Sequence, residues 1–288
     1  MKTRILLSAL AACLAPPLLA APLTQSTFTE IIHDVNVVSM PVNAAKPATV
    51  NELFKSPDLV RTGPDSRAEL TAPDQTITRV GANTAFSFEP AGRDINLEQG
   101  SILFHSPSGK GGGTIKSGGA SAAVLGTTLI VATTPVTAPT DKNGFKVILL
   151  EGHGKVTLSK GKSRKLHAGQ MIFILPGQTD FGPVLDINLA KLVSGSKLVS
   201  GFGHDLPSLP LIEQAIDHQQ KDLASGQTED TGVPADKFPQ LRNIPGNGTG
   251  VLDDNTFHLG VVQPVFTSIN QPPPPGQEKP PITPPNLP

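Results

Sequence analysis

Val147-Ile148-Leu149-Leu150-Glu151-Gly152-His153-Gly154-Lys155-Val156-Thr157-Leu158-Ser159 is the stretch on which the fold turns. Its first four residues are continuously apolar, as in a strand covered on both faces. Its last five alternate polar and apolar, as in a strand with one face in water, because successive Cβ atoms point to opposite sides. Ile172-Phe173-Ile174-Leu175 repeats the first pattern, and Arg67-Ala68-Glu69-Leu70-Thr71 repeats the second. From about Val35 to Val184 the chain consists of such short Thr/Val/Ile/Leu-rich runs, parted by clusters of Gly, Pro, Asn, Asp and Ser. That spacing specifies an all-β domain, placed at residues 28–184. Fully covered strands beside half-covered ones need a second layer, so the expected architecture is an antiparallel β-sandwich or β-roll built of hairpins.

Turn residues supply the connections. Asn143-Gly144 stands before a strand, Lys160-Gly161-Lys162 between Leu158 and Leu166, and Gly81-Ala82-Asn83 before Phe86, which makes hairpins the main connectivity. Leu97-Glu98-Gln99-Gly100-Ser101-Ile102-Leu103-Phe104 weakly resembles Leu150 to Leu158, each a strand, an acidic residue, a Gly turn and a return strand. The repeat is too irregular to specify a solenoid.

Past Val184 the period changes. Asp186 is a plausible N-cap for a short helix carrying Leu189, Leu192 and Val193. Ser208 caps a second, with Pro210 in its first turn and Ile212, Ala215, Ile216, Gln219 and Leu223 on one face. Two short helices over residues 185–224 are therefore expected to pack on the β domain, being marginal alone. Residues 225–288 turn to Gly, Pro, Asp, Asn and Thr, a disordered tail or spacer whose Pro272 to Pro288 favours extended polyproline geometry. Within it only Gly260 to Ile269 could dock, as an edge strand broken by Pro264.

Lys2 and Arg4 before the apolar run Ile5 to Leu14, then Leu18-Leu19-Ala20, read as a signal peptide over residues 1–20. The run is too short to span a bilayer. The expected location is periplasmic or secreted. Cys13, the only cysteine, follows Leu10-Ala11-Ala12 like a lipobox and is the site of a lipid anchor in one reading; in the other it leaves with the signal peptide. In that second case disulfides, thiolate chemistry and Cys zinc sites are all excluded.

Composition narrows the function classes. With 23 basic and 24 acidic side chains, and charged residues at 16%, broad capture of nucleic acid or anionic membrane is excluded. Trp and Tyr are absent, which removes the usual stacking platforms and the aromatic girdle of an outer-membrane barrel. The seven histidines, His33, His105, His153, His167, His204, His218 and His258, lack metal-ligand spacing; only His153 and His167, beside expected hairpins, could converge. Lys110-Gly111-Gly112-Gly113-Thr114 lacks the order of a phosphate loop and reads as a flexible hairpin loop. Asp94, Glu98 and Glu151 could form an acid pair only if strand ends brought them together. No catalytic, cofactor-binding or metal residue is assigned, and the chain is expected to be a non-enzymatic module.

Five blocks then agree in order and spacing with one family. Leu59-Val60-Arg61-Thr62-Gly63-Pro64-Asp65-Ser66-Arg67-Ala68-Glu69-Leu70, Thr76 to Gly81, Leu97 to Phe104, Ala123 to Thr128 and Leu150-Glu151-Gly152 with Leu166 to Gln170 resemble the FecR domain, over residues 59–170. The resemblance implies an extracytoplasmic all-β module and, in iron-transport regulators, the sensing half of a membrane anti-sigma protein. Here only a cleavable signal stands where those regulators carry a sigma-contacting segment and a span. An intact β domain without chemistry makes an exported binding or scaffold module for an envelope protein or cell-surface component the expected function; the resemblance implies the alternative, an accessory in sigma/anti-sigma signalling. In this reading Gly63, Gly100, Gly126 and Gly152 serve turns or close packing, while Leu70, Ile102, Val124 and Leu150 fill the core.

Overall fold

The short β-branched runs become strands. In chain order they are β1 (Gln25–Ile32), β2 (Val35–Ser39), β3 (Ala44–Pro47), β4 (Leu53–Lys55), β5 (Leu59–Thr62) and β6 (Arg67–Thr71). Then come β7 (Ile77–Val80), β8 (Ala85–Phe88), β9 (Asp94–Gln99), β10 (Ser101–Ser106), β11 (Gly113–Ser117) and β12 (Ala120–Val124). β13 (Thr127–Thr133), β14 (Phe145–Glu151), β15 (His153–Leu158), β16 (Ser163–His167), β17 (Gln170–Ile174) and β18 (Val184–Asp186) complete them, followed by α1 (Leu189–Gly195), α2 (Lys197–Ser200) and α3 (Leu209–Ser225). The computed structural model describes residues 21–133, 144–175 and 177–227. All fall within one of the chain's two compact units, Met1–Phe238; the other, Pro239–Pro288, lies outside them. The signal peptide, Cys13, Asn143, His258, Gly260 to Ile269 and nearly all of the expected tail also lie outside the described residues.

The strands form two nine-stranded sheets. The first runs β18-β17-β14-β13-β10-β7-β6-β1-β4 and the second β16-β15-β12-β11-β9-β8-β5-β2-β3. Pairing is antiparallel throughout except for β9 with β11, which run parallel through Thr114↔Asp94, Ile115↔Ile95 and Lys116↔Asn96. Hairpins such as β6–β7, β8–β9, β13–β14 and β15–β16 alternate with steps from one sheet to the other. The expected two-layer β architecture is thus present, and from β5 onward both sheets grow in one direction along the chain, with β4 beyond β1 and β3 beyond β2 at the opposite edges.

Gly100 and Gly152 explain the repeat seen in the sequence. Neither closes a hairpin: β9 and β10 lie in different sheets, as do β14 and β15, so each glycine turns a corner between layers. Gly100 sits at φ +86° with Thr84 packed where a Cβ would go, and Gly152 at φ +74°. A left-handed backbone and close approach together leave room for no other residue. The glycine loop at 110–113 is a correction. It crosses between sheets from β10 to β11, packed so tightly that a side chain at Gly112 would strike the Val124 carbonyl and one at Gly113 the Phe104 ring.

Between the sheets lies one continuous core. Leu70, Val80, Ile102, Phe104, Leu129, Val131 and Leu149 from the first sheet meet Val60, Phe86, Ile95, Leu97, Ile115, Val156 and Leu158 from the second. Each such side chain is worth about 1.5–3 kcal/mol relative to exposure. At one end Phe54 is the hub of an aromatic cluster, its ring centroid 6.2 Å from Phe28, 5.7 Å from Phe86 and 5.2 Å from Phe88. Leu70, Ile102, Val124 and Leu150 are all buried, as expected, but Leu150 lies outside this core.

Leu150 belongs to a second apolar layer. The outward positions Leu103, Ile130, Ile148 and Leu150 of the first sheet are buried as well. Over them α2 packs on β10 and α3 on β14, with Leu198 and Ile212 buried. This cover overturns the half-buried expectation for β6, whose Glu69 is as hidden as its neighbours, whereas Lys155 to Ser159 does alternate. The helical segment differs from expectation in three ways. A one-turn helix, α2, stands between the two anticipated ones. Asn188, not Asp186, caps α1 by accepting from the Lys191 N–H. Ser208 precedes α3, but its hydroxyl makes no cap.

Candidate functional site

Two polar knots fasten the helical segment to the first sheet. In the first, hairpin β6–β7 puts Glu69 opposite Arg79, and the guanidinium Nε donates to Glu69 Oε2 at 2.8 Å. Arg79 is 0% and Glu69 1% exposed. The guanidinium's remaining donors run to the carbonyls of Val199 at 2.7 Å and His204 at 2.7 Å, and its face lies 4.4 Å from the Phe202 ring centroid. Glu69 also accepts from Thr29 Oγ1 at 2.7 Å, and His204 Nε2 lies 3.0 Å from its Oε1. Glu30 accepts from the Gly203 N–H, and Arg67 Nε donates to the Gly201 carbonyl. A charge this deep persists only when paired and fully bonded. Here those bonds reach across more than a hundred residues to the 198–204 segment.

The second knot is a row across three strands. Register aligns His105 of β10 with Thr128 of β13, and Thr128 with Glu151 of β14. The Thr128 hydroxyl lies 2.9 Å from His105 Nδ1, 2.8 Å from Glu151 Oε1 and 2.8 Å from Ser208 Oγ. A hydroxyl has one proton and two lone pairs. Thr128 therefore donates to only one of Glu151 and Ser208 at a time and accepts from the other neighbours of the knot. Burial holds the Glu151 carboxyl above the usual carboxylate range, against the bonds from Thr128, and holds the His105 imidazole below its ordinary value. Ser208 is thus spent on the sheet, which is why α3 lacks a side-chain cap.

Of the residues weighed as reagents, the structure joins few. His153 and His167 do meet, as directly opposed positions of β15 and β16, both exposed. His218 pairs with Asp222 on α3, and among the described residues no three His, Cys, Asp or Glu side chains converge as metal ligands would. Asp94 and Glu98 sit four residues apart on β9, about 13 Å of extended backbone. Glu151 is in the other sheet, so the three do not form the pair about 5–9.5 Å apart that glycoside hydrolysis requires. Among the described residues no helix is long and apolar enough to cross a membrane.

The two outward faces of the sandwich differ. Helices cover the middle of the first sheet, over β10 and β14, whereas the second presents exposed or half-exposed outward positions along β9, β11, β12, β15 and β16. Lys116 and Asp94 pair there at 2.6 Å, and that bond raises the Lys116 ammonium above its usual value. Toward the β16 edge the face becomes basic. Residues 153–167 contain Lys155, Lys160, Lys162, Arg164 and Lys165 and no acid. Lys162 is taken by Asp180 at 2.8 Å, and Arg164 lies over the Phe181 ring at 5.6 Å. Lys155 and Lys165 directly oppose one another with no acidic partner among the described residues. Sequence reasoning passed over this hairpin because it weighed charge over the whole chain rather than along one sheet edge.

Comparison with known proteins places a family name on part of this body. Residues 58–155 match the family described as FecR protein. Two solved structures from Parabacteroides distasonis ATCC 8503, each described as a “putative anti-sigma factor”, are similar over part of the chain. The first shares 18% identity over 48% of this chain and 64% of its own, with a TM-score of 0.37. The second shares 15% identity over 57% of this chain and 92% of its own, with a TM-score of 0.36. This chain thus spans less than two thirds of the first of them. No curated protein matches. The FecR-matched segment runs from the start of β5 into β15 and occupies the contiguous middle of both sheets, with β1–β4 added at one end and β16–β18 at the other.

Proposed function

We propose that this protein is an exported, non-enzymatic FecR-type module that recognises a protein of the cell envelope through the open face and edges of its second sheet. The observation that carries the proposal is the asymmetry of the sandwich. One outward face is riveted under helices by buried charges, and the other is left as rigid, exposed β surface. Rigid strands with free outward positions suit recognition, because partner binding then orders little of the module itself. The FecR match at 58–155 supports the family role, and the sequence of residues 1–20 supports export. Affinity capture from envelope extracts by the full chain, repeated with charge reversals on the open face, tests the reading. Reproducible capture lost on reversal is the expected result; turnover of a defined substrate, with no captured protein, overturns it. Cell fractionation tests the location.

The FecR match also favours a second reading, an accessory that acts beside a separate membrane anti-sigma protein. It predicts altered envelope-stress transcription in a deletion strain. Unchanged transcription removes it.

A further inference from the structure

We propose that β16 accepts an acidic, extended segment of the partner protein as an added strand; the idea rests on the partner-binding reading above and gives it a place and a chemistry. Sheets of this size have edges that must be managed. Three of the four edges are blunted: β4 and β18 have three residues each, and β3 ends in Pro47, which has no N–H to offer. β16 has five residues and no proline.

The backbone pattern shows what β16 offers. The Leu158 N–H donates to the Lys162 carbonyl at 2.9 Å, so that pair is a bonded one. Bonded pairs alternate along an antiparallel ladder. With Val156↔Arg164 and Gly154↔Leu166 in the same class, Thr157↔Ser163, Lys155↔Lys165 and His153↔His167 are the unbonded pairs. The N–H and C=O groups of Ser163 and Lys165 therefore point away from β15, toward the open side. The His167 N–H is turned to Gln170 Oε1 at 3.3 Å.

The side chains select what can add there. In unbonded pairs the Cα atoms are about 4.5 Å apart, and like charges directly opposite destabilise a sheet. Lys155 opposite Lys165 is such a pair, exposed and without an acidic neighbour among the described residues. A second copy adding at this edge would bring more lysine to lysine. A strand with glutamate or aspartate at alternate positions would instead set its carboxylates beside Lys165 and within reach of Lys155, while its backbone bonds Ser163 and Lys165. Of the two lysines, Lys155 is the last residue of the FecR-matched segment and Lys165 lies beyond it.

The test uses fluorescence anisotropy with the full chain and a short synthetic peptide alternating glutamate and threonine. The controls are the lysine–threonine peptide, a copy of the acidic peptide N-methylated at alternate residues, and phosphatidylglycerol vesicles. The acidic peptide is expected to bind, and N-methylation is expected to weaken it by at least about tenfold, about 1.4 kcal/mol. Lys165→Pro should do the same. Joint Lys155→Glu and Lys165→Glu, which leave the backbone intact, should transfer binding to the lysine peptide. Equal binding of the N-methylated peptide, or vesicles that displace the acidic peptide from the unmodified chain, would show charge attraction alone and overturn the strand-addition proposal. No peptide binding, with envelope capture retained in the Lys165→Pro variant, overturns this proposal and leaves partner binding standing. Absence of both peptide binding and envelope capture in the unmodified chain overturns the two together.

Discussion

Replacing Arg79 by methionine removes the cation that Glu69 is buried against and the donor that holds the 198–204 segment. The methionine fills much of the aliphatic volume, so the loss is electrostatic. Glu69, 1% exposed, keeps only the Thr29 hydroxyl at 2.7 Å and His204 at 3.0 Å. The carbonyls of Val199 and His204 lose donors at 2.7 Å. Breaking a buried pair from one side costs about 3–5 kcal/mol, a large share of a typical total of about 5–15 kcal/mol. Joint Glu69→Leu and Arg79→Met removes the stranded carboxylate as well, so the double variant should be more stable than the sum of the single losses allows, by roughly 2–3 kcal/mol. Urea unfolding of the full chain measures each value, and limited proteolysis reports whether residues 196–206 come loose first. A loss below about 1 kcal/mol for Arg79→Met, or strict additivity in the cycle, would refute the view that this pair fastens helices to sheet.

Other outcomes follow from the same packing. Phe54→Ala should cost about 3–5 kcal/mol in urea unfolding, because the ring touches three others and is 1% exposed. Thr128→Val should cost about 1–3 kcal/mol, and more than Ser208→Ala, since it strands His105, Glu151 and Ser208 at once. As pH falls through 6.5 the unfolded chain protonates its histidine while folded His105 resists, so stability present above 6.5 is lost toward the lowered folded value; His105→Asn should flatten that loss in melting curves. Glu151 has the opposite sign. Its folded pKa lies above 4.5, so its ionisation penalises the fold at neutral pH and is relieved in acid; Glu151→Gln should raise Tm more at pH 7 than at pH 4.

Strand identity was legible because β-branched runs, glycine and proline act locally. The continuous apolar runs at Val147 and Ile172 did mark strands buried on both sides. What local pattern could not supply was the identity of the layer on each face. Glu69 alternates like a solvent residue, and only segment 198–204, far away in sequence, makes it buried. A hint existed: pairing β6 with β7 across the turn at 72–76 sets Glu69 opposite Arg79, and two opposed charges of opposite sign ask for a reason. α2 was missed because one turn carries no periodicity. Asn188 displaced Asp186 as cap because β18 runs on to Asp186. The basic edge at β16 was hidden in a near-neutral total, and no residue of that hairpin has a reagent's spacing.

The one-way order of strands from β5 onward in both sheets has a consequence for how such a molecule can vary. Each new hairpin is laid beside one already in place, so material can accrue at either flank while the earlier courses keep their neighbours. The segment that matches the FecR family is the interior masonry, and the outermost courses on either side lie beyond the match. A rim strand has one neighbour where an inner strand has two, so an alteration there leaves the rest of the wall standing.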